Sequence, residues 1–86
     1  MARARKPAKT LRSPEHRALC ALLIAARRKA GLNQTELAER LGKPQSFVAK
    51  YEGGERRLDV VEFLAVTRAI GVDPHRILRD LAKNTS

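Results

Sequence analysis

Gln45, Ser46 and Lys50 are neighbours in sequence, and their side chains offer an amide, a hydroxyl and an ammonium group. An amide can pair bidentately with adenine, an ammonium can donate to guanine O6 and N7, and a hydroxyl can serve either partner. The set therefore suits the base edges exposed in a DNA major groove. Phe47 and Ala49 are their apolar neighbours. Phe47 has two readings, contact with a thymine methyl group or packing against an adjacent helix. Lys43 and Pro44 precede the run: the proline stiffens its start and the lysine suits a phosphate. Gln34 opens the preceding segment, where an amide and a positive dipole end can meet another phosphate. Arg56 and Arg57 follow the run and are further phosphate candidates, their plainer reading being surface charge. Glu55 would oppose them unless it pairs with one of the two.

Catalytic chemistry finds no comparable constellation. His16 and His75 are far apart and lack companions at metal-ligand spacing. Cys20 has no sequence-local partner and reads as a packing residue rather than a nucleophile or redox sensor. Ser46 has no general base near it in sequence. The expectation is a protein without enzymatic activity, metal or cofactor.

The elements that would hold these side chains are helices. Leu37, Ala38 and Leu41 line one face of a segment that Gly42 ends. Val48 and Tyr51, three apart, mark the buried side of the next segment and leave Gln45, Ser46, Ala49 and Lys50 pointing away. Ala38 is small where two crossing helices need close approach. Upstream, Ser13-Pro14-Glu15 combines a capping hydroxyl, proline at the first helical position and an acid favoured by the dipole. Leu19, Leu22, Leu23 and Ala26 form the expected inward stripe of that helix, and Arg27, Arg28 and Lys29 suit its carboxyl end. Asn33, Asp59 and Asp73 each cap a helix. The pairs Leu32–Leu37, Leu58–Phe63 and Val72–Ile77 form hydrophobic staples, and Glu36 and Glu62 complete capping boxes. Gly31, Gly42, Gly53 or Gly54, and Gly71 supply the other ends. The pattern predicts an all-α chain of five helices. In the fourth, Phe63, Val66 or Thr67, and Ile70 suit the core. Val61 and Leu64, with Leu78 and Leu81 of the last helix, form a surplus apolar face that reads as a homodimer patch, its plainer reading being an aliphatic core that uses both faces.

On these residues the chain resembles the Cro and phage-repressor family, also called the xenobiotic-response-element type. The resemblance rests on Gln34, Ala38, Gly42, Val48, Tyr51 and the Glu52-Gly53-Gly54 ending, and runs from about residue 22 to residue 81. It implies a compact five-helix domain with a helix-turn-helix formed by helices two and three. It also implies that Arg27 pairs with Glu52, tying the first helix to the third. By the same resemblance Gln34 meets phosphate, and the loop carrying Arg56 and Arg57 lies along the DNA backbone.

Charge agrees with a polyanionic partner. The chain has 86 residues and a formal net charge of +9, favouring nucleic acid over a membrane surface. Aromatic residues make up only 3%, so the core must be aliphatic. Residues 1–12 hold Arg3, Arg5, Lys6, Lys9 and Arg12 without an acid and read as a disordered arm, more plausibly a solvated tail than a groove-reading one. The expected division is this arm, a DNA-binding domain over residues 13–82, and a tail over 83–86. The expectation is a single such domain, without an inducer-binding or protease-sensitive second one. A single cysteine, no secretory signal and no long apolar run suit a cytoplasmic, nucleoid-associated protein. The expected activity is sequence-specific repression by a dimer on double-stranded DNA, through a roughly palindromic operator. Two other classes remain open: an antitoxin-type module that binds a protein partner, and a non-specific architectural DNA binder.

Overall fold

The computed structural model describes residues 13–85, and the arm expected over residues 1–12 lies outside them. Five helices follow in order: α1 (Pro14–Lys29), α2 (Gln34–Leu41), α3 (Gln45–Glu52), α4 (Val60–Ile70) and α5 (Pro74–Thr85). There is no strand among the described residues. Helix α5 runs to Thr85, where the sequence suggested a tail from Lys83 onward. Neither glycine nor proline follows Leu81 in that helix, so nothing in the chain interrupts it.

The helix starts are built as the capping residues require. Ser13 Oγ accepts from the His16 N–H at 3.1 Å. Asn33 and Glu36 form a reciprocal box, with 2.7 Å from the Glu36 N–H to Asn33 and 2.9 Å from the Asn33 N–H to Glu36. Asp59 and Glu62 repeat it at 2.7 and 3.0 Å. Each box satisfies two amide donors that the first turn would otherwise leave open. Helix α3 is the exception: its N-cap is Pro44, with no side-chain oxygen to offer. The turn before it depends on Gly42, whose φ of +67° lies in the left-handed region. After α3 two glycines divide the work. Gly53 keeps a helical φ of −80°, and Gly54 takes the positive φ of +80°.

Leu23, Leu37, Ala38, Val48, Tyr51, Phe63, Val66, Ile70 and Ile77 form the core. Helix α2 packs against α3, with Ala38 buried in the same cluster as Val48 and Tyr51, while α1 packs most extensively along α5. In α4 both Val66 and Thr67 are buried, where the sequence left the choice open. Thr67 can be there because its hydroxyl donates to the Leu64 carbonyl at 3.0 Å.

Helix α1 departs from its expected stripe. Its buried residues are His16, Cys20, Leu23 and Arg27, while Leu19, Leu22 and Ala26 are only half-buried against the core. The polar members fit because they have partners. The Cys20 thiol donates to the Tyr51 carbonyl at 3.2 Å, and His16 Nε2 lies 3.7 Å from that sulfur. Burial, then the nearby Arg57 charge, lowers the His16 pKa from its ordinary 6.5. The folded chain therefore resists protonating this ring, and the unfolded chain takes up the proton first as pH falls. Stability from His16 is complete above about pH 6.5 and is lost as pH drops toward the lower folded-state value. Thermal midpoints measured from about pH 7.5 to about pH 5 should fall in the native chain and flatten in His16→Gln. A native midpoint that stays flat across that window would mean His16 is not held neutral.

Candidate nucleic-acid interface

Helix α3 turns Val48, Tyr51 and Glu52 inward and leaves Gln45, Ser46 and Lys50 exposed, with Phe47 and Ala49 half-buried between the two faces. What holds this helix in place starts at a buried ion pair. Arg27 Nε donates to Glu52 Oε2 at 2.7 Å and Nη2 to Oε1 at 3.1 Å, with side chains only 8% and 4% exposed. Arg27 Nη1 donates to the Leu32 carbonyl at 2.7 Å, so the guanidinium also fastens the α1–α2 connection. The hydrogen-bonded carboxylate raises the Arg27 pKa, so the guanidinium stays charged.

The chain of contacts continues outward. Gln34 Nε2 donates to Glu52 Oε1 at 2.9 Å, and Gln45 Nε2 donates to Gln34 Oε1 at 2.7 Å. Each direction follows from the previous one. A carboxylate only accepts, so Gln34 must turn its NH2 to Glu52 and its oxygen to Gln45. Gln45 must then answer with its own NH2. Its remaining N–H and its oxygen are left to face outward, the pattern that adenine N7 and N6 require. The buried pair thus sets the orientation of an exposed amide two residues removed from it.

Around Phe47 a second set of contacts forms. The ring meets Tyr51 edge-on, with centroids 5.7 Å apart and planes at 68°. Lys43 Nζ lies 5.4 Å and Arg56 Cζ 4.8 Å from the Phe47 ring centroid. Arg56 is held by Glu62, with Nη2 2.6 Å from Oε2 and Nη1 3.0 Å from Oε1. Glu55, which would oppose the two arginines unless it paired with one of them, has no part in this. It is exposed in the loop, whereas Glu62 is already fixed by its capping box beside Arg56. Arg57 and Lys43 are exposed.

The structure therefore gathers Gln34, Lys43, Gln45, Ser46, Phe47 and Lys50 around the α2–α3 unit, with Arg56 and Arg57 at its carboxyl end. Sequence reasoning missed the link between Gln34 and Gln45 and the pairing of Arg56 with Glu62. The first had no signal, because the two glutamines meet only after the helices cross. The second had a faint one, since a capping-box glutamate keeps an acceptor oxygen for a nearby cation. Among the described residues, no group of three or more His, Cys, Asp or Glu side chains could hold a metal ion, and no helix is long and apolar enough to cross a membrane.

The same architecture occurs in known proteins. A helix-turn-helix family model matches residues 23–77. An XRE-family-like protein from Pseudomonas syringae pv. tomato is 51% identical, with 92% of this chain and 96% of that chain covered and a TM-score of 0.82. The restriction-modification controller protein C.AhdI from Aeromonas hydrophila is 26% identical, covering 76% of this chain and 98% of that one, with a TM-score of 0.70. The clp gene regulator ClgR from C. glutamicum shares the fold at a TM-score of 0.76 and 23% identity, over 86% of this chain and 96% of that one. Among curated protein sequences nothing matches significantly. With the helix-turn-helix match spanning most of its length, the chain belongs to the XRE family of helix-turn-helix, DNA-binding transcription regulators.

Proposed function

We propose that the chain is a repressor that binds a roughly palindromic operator as a homodimer, α3 of each copy reading the major groove of one half-site. The observation that carries this reading is the exposed α3 face of Gln45, Ser46 and Lys50, oriented from behind by the buried Arg27–Glu52 pair through Gln34. In this reading Gln45 pairs with adenine, Lys50 with guanine, and Ser46 with either, while the exposed part of Phe47 borders a thymine methyl group. Gln34, Lys43 and Arg57 take phosphates. Affinity and its salt dependence then come mainly from Lys43, Arg57 and the net charge of +9. The chain works in the cytoplasm, on the nucleoid.

The dimer is supported by an apolar surface on α4 and α5. Val61 is 75%, Leu78 49% and Leu64 39% exposed, with half-buried Leu81 on the same helix as Leu78. Val60, at 74%, enlarges the patch beyond the residues singled out in the sequence. In this reading a second copy covers this surface, and the dimer meets half-sites about one helical turn apart. Leu64→Glu should therefore sediment as a monomer and bind the operator more weakly. A variant that remains dimeric would move the interface elsewhere.

The direct test is selection of bound duplexes from a random pool at near-physiological salt. An inverted repeat is the expected result. A single half-site would keep α3 as reader and discard the dimer. Binding without any enriched motif would favour an architectural DNA binder, and no binding would favour a protein-interaction module. On the selected site, Lys50→Ala should relax preference at one base position, with a loss of about 1–3 kcal/mol confined to the cognate base. Uniform weakening over all sequences would make Lys50 a phosphate contact instead.

A further inference from the structure

Arg56 sits just after α3, where a cation would be expected to lie along the DNA backbone, yet its guanidinium is already engaged. Its two terminal nitrogens meet the two Glu62 oxygens at 3.0 and 2.6 Å in a fork-to-fork pair. Nη1 also donates to the Arg57 carbonyl at 3.0 Å, bracing the loop itself. The same group lies over the Phe47 ring, its Cζ 4.8 Å from the centroid.

Glu62 is equally constrained. Its Oε1 accepts from the Asp59 N–H at 3.0 Å, within the capping box that begins α4. The Arg56 hydrogen bond, and then that backbone bond, pull the Glu62 carboxyl down to about 2, so it stays ionised at neutral pH. An ordinary surface ion pair must order two free side chains and gains little from doing so. Here one partner is already ordered by the helix cap, and the other is sterically supported by an aromatic face. A continuous line of contacts therefore runs from the first turn of α4, through Glu62 and Arg56, to Phe47 and Tyr51 of α3.

We infer that Arg56 and Glu62 are positioning residues for base recognition: Arg56 clamps Phe47, and with it α3, to the start of α4 rather than taking a phosphate. The inference rests on α3 being the base-contacting helix. It refines the plainer expectation that Arg56 is a backbone contact, and the two roles give opposite outcomes for one substitution. Glu62→Gln preserves the capping box, because glutamine serves at that position as glutamate does. If Arg56 held a phosphate, neutralising Glu62 would free the guanidinium, remove a repelling carboxylate and tighten binding to every sequence. With the clamp, the same change loosens α3 and lowers discrimination between the cognate site and its single-base variants.

Arg56→Lys supplies the second comparison. Lysine retains the charge but lacks the planar fork that pairs with a carboxylate and stacks on a ring. A phosphate role would survive it, whereas the clamp would not. The test measures affinities of the native chain, Glu62→Gln and Arg56→Lys for the duplex that the native chain selects. The same measurements cover single-base variants of that duplex over a series of salt concentrations.

Both variants are expected to lose discrimination by roughly tenfold, on the scale of one good base contact, with the salt slope unchanged. Native-like discrimination in both, or uniformly tighter binding by Glu62→Gln, overturns the clamp while leaving α3 as reader. A native chain with no preferred sequence overturns both readings together. Outright unfolding of either variant would make the pair a determinant of the fold and also defeat the inference. Folding is expected to survive, since the Arg56 and Glu62 side chains remain 41% and 22% exposed.

Discussion

Glu52→Ala should destabilise the fold by about 3–5 kcal/mol, because it leaves the Arg27 guanidinium buried without its counter-charge. In a domain of this size that loss should lower the thermal midpoint by roughly 15–30 °C. The Glu52 carboxylate accepts from Arg27 twice and from Gln34 once, so alanine leaves several donors without a partner in a region closed to water. The effect should be largely reversed by removing both charges. Arg27→Met combined with Glu52→Leu replaces a desolvated pair with apolar volume, a change that is often neutral or stabilising. Denaturant unfolding of the native chain, the single variant and the double variant checks this. A single-variant loss below about 1 kcal/mol would be the size expected of an exposed pair and would contradict the burial described here.

The same double variant separates stability from recognition. Without Glu52 there is no acceptor to fix the Gln34 amide, so Gln45 loses the contact that orients it. On the base-reading role proposed for Gln45, the double variant should fold well yet discriminate poorly between its selected duplex and one altered at the base assigned to Gln45. Native-like discrimination would mean that Gln45 is oriented by the DNA alone.

Ala38→Leu carries the second large effect. Ala38 is 2% exposed and belongs to the core cluster that also holds Val48 and Tyr51 of α3, the helix α2 packs against. Leucine is almost as good a helix former as alanine, so any loss must come from the crossing and not from α2 itself. Added carbons in a filled crossing force the helices apart or off their rotamers, at a cost of about 1–3 kcal/mol. The functional loss should exceed the loss of stability. Separating α2 from α3 breaks the Gln34–Gln45 contact and shifts the reading face, while the cations that supply non-specific attraction remain. In DNA titrations, specific affinity should fall far more than affinity for random duplex. Equal losses would show that the crossing geometry does not govern base recognition.

Much of this molecule is written locally. Ser13, Asn33 and Asp59 cap helices because a short polar side chain reaches the amides of its own first turn. Gly42 ends α2 because it takes a left-handed φ without a Cβ clash. Such effects act over three or four residues, so helix number, order and most boundaries follow from the chain alone. Val48 and Tyr51 inward with Gln45, Ser46 and Lys50 outward also follow, since helical periodicity alone divides the two faces.

Tertiary structure decided what depends on residues distant in sequence. The α1 stripe drawn from leucines left out His16, Cys20 and Arg27, although Cys20 reads as a packing residue and the resemblance pairs Arg27 with Glu52, as the structure does; polar side chains are buried only where partners satisfy them. Arg56 met Glu62 rather than Glu55 because α4 had already immobilised the more distant carboxylate. Gln34 and Gln45 joined one hydrogen-bonded chain only because Glu52, an obligate acceptor, stands behind them. Composition and periodicity thus determined the helices, the basic character and the outward face of α3. The packing of α2 and α1 against α3 determined how that face is aimed, because hydrogen-bond direction depends on which groups the completed fold brings together.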